Sequence, residues 1–309
     1  MHKIGIIGAA GVVGSAVAYT LLERSLAEEL VLSDVNTSAL KSHVMDLQFS
    51  GVFHTNCSVR AGNYAEMKDS DLIIICASVS PFSSSVKSRL DYLKVNGLII
   101  EDIISNLTDL NYEGMIITAS NPADVLNYAV YYKSKWPRER IMGYSWNDTV
   151  RLQYYTAMET GVPLEDVEHA LSVGEHGEQQ LPLFSNIRIK EKGMLNGGEI
   201  CNIKKRMDNF FVEYRALGVG RTIGWTTAQG IARMVGALDS DTPTRIPCSV
   251  ILDGEFGLKN LSIGVLAEVN RKGVLRVIEE ALSEEDKKRL VSVAEKLEPF
   301  MRKVESELK

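Results

Sequence analysis

The segment Lys3-Ile4-Gly5-Ile6-Ile7-Gly8-Ala9-Ala10-Gly11-Val12-Val13-Gly14-Ser15-Ala16-Val17-Ala18-Tyr19-Thr20-Leu21 decides how the rest of the chain is read. Residues 3–7 form an apolar run of strand length, and Val13, Ala16, Val17, Thr20 and Leu21 then recur at the spacing of one helix face. The change of period falls on glycines, which permit a tight turn and let an anion approach the N–H groups that open a helix. Gly8, Gly11 and Gly14, with Val12 and Val13 between them, make G-x-x-G-x-x-G, a looser form of the dinucleotide-binding turn. A Gly-rich strand-to-helix turn without a ligand is the plain alternative. Asp34 ends the next apolar run, where a carboxylate accepts hydrogen bonds from an adenosine ribose and repels a 2′-phosphate. Val35 and Asn36 follow it, with no Arg to favour the phosphorylated cofactor, so the choice is NAD. Its alternative role is an N-cap or turn residue before Asn36-Thr37-Ser38.

Working outward, the alternation continues. Runs at 30–33, 72–76 and 115–118 read as strands, and 39–47, 90–107 and 125–132 as helices. Such alternation predicts a doubly wound α/β fold, a Rossmann-type parallel sheet covered on both faces. After Gly143 the rhythm changes to a helix over 148–159, strand-like runs at 167–173 and 187–189, a polar helix over 203–217, and strands at 249–252 and 261–269. We expect a nucleotide-binding domain over 1–143 and an α+β catalytic domain over 144–309. The last helix opens at the capping pair Ser283 and Asp286, carries Leu290, Val293, Leu297 and Met301 on one face, and is expected to kink at Pro299.

The 309 residues are 45% hydrophobic and 24% charged, enough to bury a large core. A net charge of −6 and the lack of any basic run argue against a nucleic-acid partner. Cys57, Cys76, Cys201 and Cys248 show no metal-ligand spacing, which points to reduced thiols in the cytoplasm and no metal site. Residues 4–22 are uncharged and include Ala16-Val17-Ala18, resembling a leader with its cleavage site. The glycines at 5, 8, 11 and 14 break that block into strand and helix, so neither a leader nor a membrane span is expected.

A second cluster lies in Gly174-Glu175-His176-Gly177-Glu178, preceded by Asn147-Asp148-Thr149-Val150-Arg151. Asp148 and Arg151 are three apart and share a helix face. A carboxylate beside a histidine raises its pKa and fixes its tautomer, while an arginine fork grips a carboxylate through two hydrogen bonds. The alternative is a surface ion pair near an unrelated histidine.

The ordered set of the glycine turn, Asp34, Met45-Asp46-Leu47, Arg89-Leu90-Asp91, Ser120-Asn121-Pro122-Ala123-Asp124, Asp148-x-x-Arg151, Gly-Glu-His176-Gly and Gly273-Val-Leu-Arg-Val-Ile-Glu279 resembles the lactate/malate dehydrogenase family from residue 3 onward. The resemblance implies that His176 donates a proton to a keto oxygen while NADH delivers hydride, that Asp148 orients His176, and that Arg151 holds the substrate carboxylate. It implies further that Arg89 polarises the carbonyl, that Asn121 positions substrate and nicotinamide, and that the serine-rich segment 78–88 is a lid. A homodimer or homotetramer acting on a small 2-oxo or 2-hydroxy acid is the corresponding expectation.

The lid departs from the family. Lactate enzymes place Gln, and malate enzymes Arg, about six residues before Arg89, where this chain has Ser83 after Pro81-Phe82. Either Phe82 or Ser83 is the pocket residue, and without an arginine a second substrate carboxylate lacks compensation unless Lys87 or Arg221 supplies it. Trp225 or Thr226 stands where lactate enzymes place a threonine, Asn147 replaces a usually apolar residue, and Gln153 replaces the arginine that binds a sugar bisphosphate effector in many bacterial lactate enzymes. The reading favours an L-lactate dehydrogenase-like enzyme for a 2-oxo monocarboxylate. The alternatives are malate dehydrogenase and a non-catalytic NAD-binding protein; an NAD-dependent glycosidase would need a Cys/His metal site, and neither Cys201 nor Cys248 has such a neighbour in sequence.

Overall fold

The computed structural model describes residues 1–53, 56–79, 89–177 and 179–307, without the side chains of 89–91 and 280. Phe82, Ser83 and Lys87, and the side chain of Arg89, therefore lie outside the described residues.

The first half runs β1 (Lys3–Ile7), α1 (Val12–Glu23), β2 (Glu29–Ser33), α2 (Thr37–Gly51), β3 (Ser58–Ala61), α3 (Tyr64–Met67), β4 (Leu72–Ile75), α4 (Arg89–Asp109), β5 (Met115–Thr118), α5 (Ala123–Ser134) and β6 (Ile141–Gly143). The strands pair in parallel in the order β3-β2-β1-β4-β5-β6. This is the doubly wound sheet that the alternation predicts. Ile4, Ile6, Leu30, Leu32, Leu72, Ile73, Ile74, Ile116 and Ile117 are fully buried, each burial stabilising by about 1.5–3 kcal/mol. Strand order reverses between β1 and β4, the place where such sheets open a crevice at the carboxyl ends of their strands.

The second half contains α6 (Trp146–Thr160), β7 (Val167–Glu168), β8 (Ser172–Gly174), β9 (Gln180–Pro182), β10 (Arg188–Ile189), α7 (Gly197–Ala216), α8 (Trp225–Leu238), β11 (Thr244–Asp253), β12 (Lys259–Asn270), β13 (Gly273–Val277) and α9 (Glu284–Glu307). Its main strands extend the first sheet: β11 pairs antiparallel with β6 at Ser249 and Gly143, and β12, β8 and β9 follow. This continuation carries the chain to His176 just beyond β8. Helix α5 is buried on nearly every side, packed against α4, α9, β11 and β12. A smaller core of Leu152, Val167, Ile187, Ile189, Ile203 and Met207 joins α6 and α7 to the β7–β10 pair.

Three expectations need correction. The run 167–173 is two strands, because His169 takes a positive φ of 57° and turns the chain between β7, which pairs with β10, and β8, which joins the main sheet. The strands at 249–252 and 261–269 are the centres of a long hairpin that recruits polar ends, from Thr244 to Asn270. Residues 225–238 form a helix that we did not expect. The cap of α9 forms as read, with the Asp286 N–H donating to Ser283 Oγ at 3.1 Å, and helix continues past Pro299 to Glu307.

Candidate active site

Gly8 leaves β1 at φ +85°, and a Cβ there would lie 2.5 Å from the Ala77 backbone nitrogen. A Cβ on Gly14 would lie 2.2 Å from the Gly8 carbonyl oxygen. Both positions therefore exclude a side chain, and together they draw the turn, the start of α1 and the segment after β4 into contact. Gly11 differs. Its φ of −76° suits any residue, and a Cβ would meet only the Gly8 oxygen at 3.4 Å. What the absent side chain leaves is space in front of the N–H groups of Val12, Val13 and Gly14, the place where a helix start holds a pyrophosphate. No acidic residue occupies the first turn of α1 to repel an anion.

Of its two expected roles, Asp34 is seen in that of a turn residue. Its Oδ2 accepts the Ala10 N–H at 2.9 Å, which fixes the carboxylate beside the glycine turn, and its Oδ1 accepts the Asn36 N–H at 2.8 Å. The N-cap of α2 is Asn36, whose side chain accepts from Ala39. Each carboxylate oxygen keeps a further lone pair for a ribose hydroxyl.

The second cluster is assembled from separate elements. Asp148 lies in the first turn of α6 and Arg151 one turn on, while His176 follows β8. Thr149 registers the two, because its Oγ1 accepts the Ser172 N–H at 3.0 Å and donates to the Ser172 carbonyl at 3.3 Å. Asp148 then bridges: its Oδ2 accepts His176 Nδ1–H at 2.7 Å and its Oδ1 accepts Arg151 Nη1–H at 2.7 Å. A carboxylate only accepts, so Nδ1 carries the proton and Nε2 is left for a substrate. Burial alone would push the imidazole pKa down, but the Asp148 carboxylate outweighs it and the net pKa is above the ordinary value. Burial also lowers the Arg151 pKa, although arginine stays charged at any working pH. The face of Arg151 is covered by Phe210 and Phe211 of α7, whose ring centroids lie 4.5 and 4.8 Å away. Its remaining N–H groups suit a carboxylate fork.

The nucleotide half, at residues 2–143, matches the family model for the lactate/malate dehydrogenase NAD-binding domain, and residues 147–308 match the alpha/beta C-terminal domain of the same family. The chain belongs to the lactate/malate dehydrogenase family. It is thus an NAD-dependent 2-hydroxy-acid dehydrogenase. Among its relatives, an L-lactate dehydrogenase of Halalkalibacterium halodurans is 33% identical over 301 residues, covering 96% of this chain and 95% of the relative. A malate dehydrogenase of Halobacterium salinarum is 32% identical over 305 residues, covering 96% and 97%. The solved minor L-lactate dehydrogenase of Enterococcus mundtii superposes with a TM-score of 0.89 at 26% identity, over 98% of both chains.

Within this dehydrogenase the structure shows side chains whose importance the sequence reading missed. Asn96 of α4 is fully buried; its Oδ1 accepts the Val79 N–H at 2.9 Å, and its Nδ2 donates to Ser78 Oγ at 3.0 Å and to the Asn121 carbonyl at 2.8 Å. It fastens Asn121 to the segment after β4. The available signal was a polar residue in the apolar stripe of Leu93, Ile100, Ile103 and Leu107. Asn147 is also explained. Tyr144 OH donates to Asn147 Oδ1 at 2.8 Å, Asn147 Nδ2 donates to Thr227 Oγ1 at 2.9 Å, and Thr227 Oγ1–H donates to the Ile223 carbonyl at 2.8 Å. This buried chain of bonds ties the start of α6 to the start of α8.

The start of α8 also borders the glycine turn, since a Cβ on Gly224 would lie 2.9 Å from Val12. Of the two pocket candidates there, Trp225 is 71% exposed with the Arg221 guanidinium 3.8 Å over its ring, whereas Thr226 is half-buried.

Proposed function

We propose that the chain interconverts a 2-oxo monocarboxylate and its L-2-hydroxy acid in the manner of an L-lactate dehydrogenase. The observation that supports this reading is the Asp148 carboxylate bridging His176 and Arg151, an imidazole and a guanidinium side by side as a proton donor and a carboxylate anchor need to be. NADH, when bound, supplies the hydride for the keto carbon. The protein's part is to hold and move charge. Arg151 binds the substrate carboxylate, His176 gives a proton from Nε2 to the keto oxygen, and Asp148 stabilises the imidazolium before transfer. Arg89 at the head of α4 is assigned to polarising the carbonyl and Asn121 to holding substrate and nicotinamide. Phe82, Ser83, Trp225 and Thr226 are assigned to the substrate side chain. Gly8, Gly11, Val12, Val13, Gly14 and Asp34 would hold the cofactor.

Malate is the second reading, favoured by Arg221 near the head of α8, a cation available to a second carboxylate. The discriminating experiment is NADH oxidation against pyruvate, oxaloacetate, 2-oxoisocaproate and phenylpyruvate, with His176→Asn as control. Preference for oxaloacetate overturns the monocarboxylate reading and calls for a compensating cation, Arg221 or Lys87.

We divide the chain functionally into a nucleotide half, 1–143, and a substrate half, 144–309. Cys57, Cys76, Cys201 and Cys248 form no disulfide with one another, which suits the reducing cytoplasm. We further propose that the enzyme is a homodimer or homotetramer, because Met45 and Phe49 on one face of α2, with Val52 and Phe53 beyond it, form an exposed apolar surface of the kind that subunits bury.

A further inference from the structure

Asp124 has no role in the chemistry described so far. It lies in the first turn of α5, three residues after Asn121, and is 2% exposed. Its Oδ2 accepts the backbone N–H of His176 at 2.7 Å, and its Oδ1 accepts from Ser249 Oγ of β11. Ser249 is itself fully buried and is the residue at which β11 pairs with Gly143 of β6. One turn further along α5, Asn127 Nδ2 donates to Ser262 Oγ of β12 at 3.0 Å. A single carboxylate thus joins the helix that follows Asn121, the seam of the sheet, and the turn that carries the proton donor.

A carboxylate in this place is costly, since burial penalises its charge and raises its pKa. An apolar side chain would pack α5 against β11 without that cost, but could not hold the His176 N–H. The division of labour with Asp148 is clear from the atoms used. Asp148 bonds the imidazole ring and sets its tautomer, whereas Asp124 bonds the main chain and sets where the ring is mounted. The connection from Asn121 to His176 through Asp124 is three residues, including Pro122 with its restricted φ, and one hydrogen bond.

We propose that Asp124 is a positioning residue that fixes His176 relative to Asn121, and so sets the alignment of the proton donor with the substrate. The proposal rests on His176 being the proton donor. It is tested in the full-length enzyme with Asp124→Ala and Asp124→Asn, measuring kcat and KM for the best 2-oxo acid, NADH affinity by fluorescence, and Tm. D124A should lower kcat by roughly 10- to 100-fold, the scale on which small misplacements act, with NADH affinity within about twofold of wild type. D124N, which keeps an acceptor for the His176 N–H, should recover most of that rate. Among the described residues, the charged groups facing His176 are Asp148, Arg151 and Asp124. With the imidazole displaced from Asp148 in D124A, the pH at which reduction is lost should move down. A D124A enzyme with wild-type kcat and pH profile overturns the proposal, as does a D124N enzyme no better than D124A with Tm falling in step. Should D124A not fold, Asp124→Glu decides: it keeps the charge but adds one methylene, and a wild-type kcat there overturns the proposal. A wild-type enzyme inert toward every 2-oxo acid sinks the underlying reading. Turnover abolished by His176→Asn but indifferent to D124A sinks this proposal alone.

Discussion

The glycine turn and the His176 cluster prepare their sites by opposite means. At the turn the work is done by backbone: Gly8 and Gly14 let main-chain segments touch, Gly11 leaves space, and the first N–H groups of α1 have no partner within the helix. At the cluster it is done by side chains from α6, α5 and the turn after β8, linked by hydrogen bonds between groups distant in sequence. On the proposed assignment of the two sites, cofactor binding and proton transfer are separately built, so substitutions should move one readout and leave the other.

The strongest test of that separation is His176→Asn, expected to lower kcat by on the order of 10³-fold while NADH affinity stays near wild type. A parallel loss of NADH binding in fluorescence titration would break the comparison. Asp148→Asn should lower kcat by roughly 10²-fold and also shift the pH profile. Its carboxylate holds the His176 pKa above the ordinary value, and reduction needs the imidazolium, which is present below that pKa and lost as pH rises through it. Without the carboxylate the limb of kcat/KM for reduction should therefore move to lower pH; a stationary limb would show that another group sets it.

On the other side of the comparison, Asp34→Ser should weaken NADH by about tenfold and narrow its advantage over NADPH, with kcat at saturating cofactor unchanged. Unaltered cofactor preference in steady-state kinetics would assign Asp34 to its turn with Asn36 alone. The smallest effect is expected from Asn147→Ala, which removes one hydrogen bond each from the buried Tyr144 OH and Thr227 Oγ1 and should cost about 1–3 kcal/mol. Calorimetry would register it as a lower Tm, and an unchanged Tm would mean that the network is re-formed by other groups.

The same contrast explains what the sequence made legible. The turn was readable because strand, glycines and helix lie within about twenty consecutive residues and their periods differ. His176, Asp148 and Arg151 were found as residue types, but their union depends on Thr149 gripping Ser172 and on β8 joining the sheet at Gly264, neither of which has a local pattern. Strand β6 is three residues long, too short to show alternation. Helix α8 was hidden by Thr226, Thr227, Gly230 and Gly236, all weak helix formers. Gly230 is there for a tertiary reason, since a Cβ would lie 2.2 Å from the Tyr144 hydroxyl.

The sheet passes unbroken from β3 through β6 to β11 and beyond, and one apolar core runs beneath both halves. The molecule is accordingly a poor clamshell. A hinge between the halves would have to tear strand pairing at Gly143 and Ser249 and expose Ile141, Val250 and Ile263 to water. Unfolding of one half would strip the other of packing at this seam, so we expect the two halves to melt together in calorimetry and a fragment ending at residue 143 to be less stable than the same residues in the full chain.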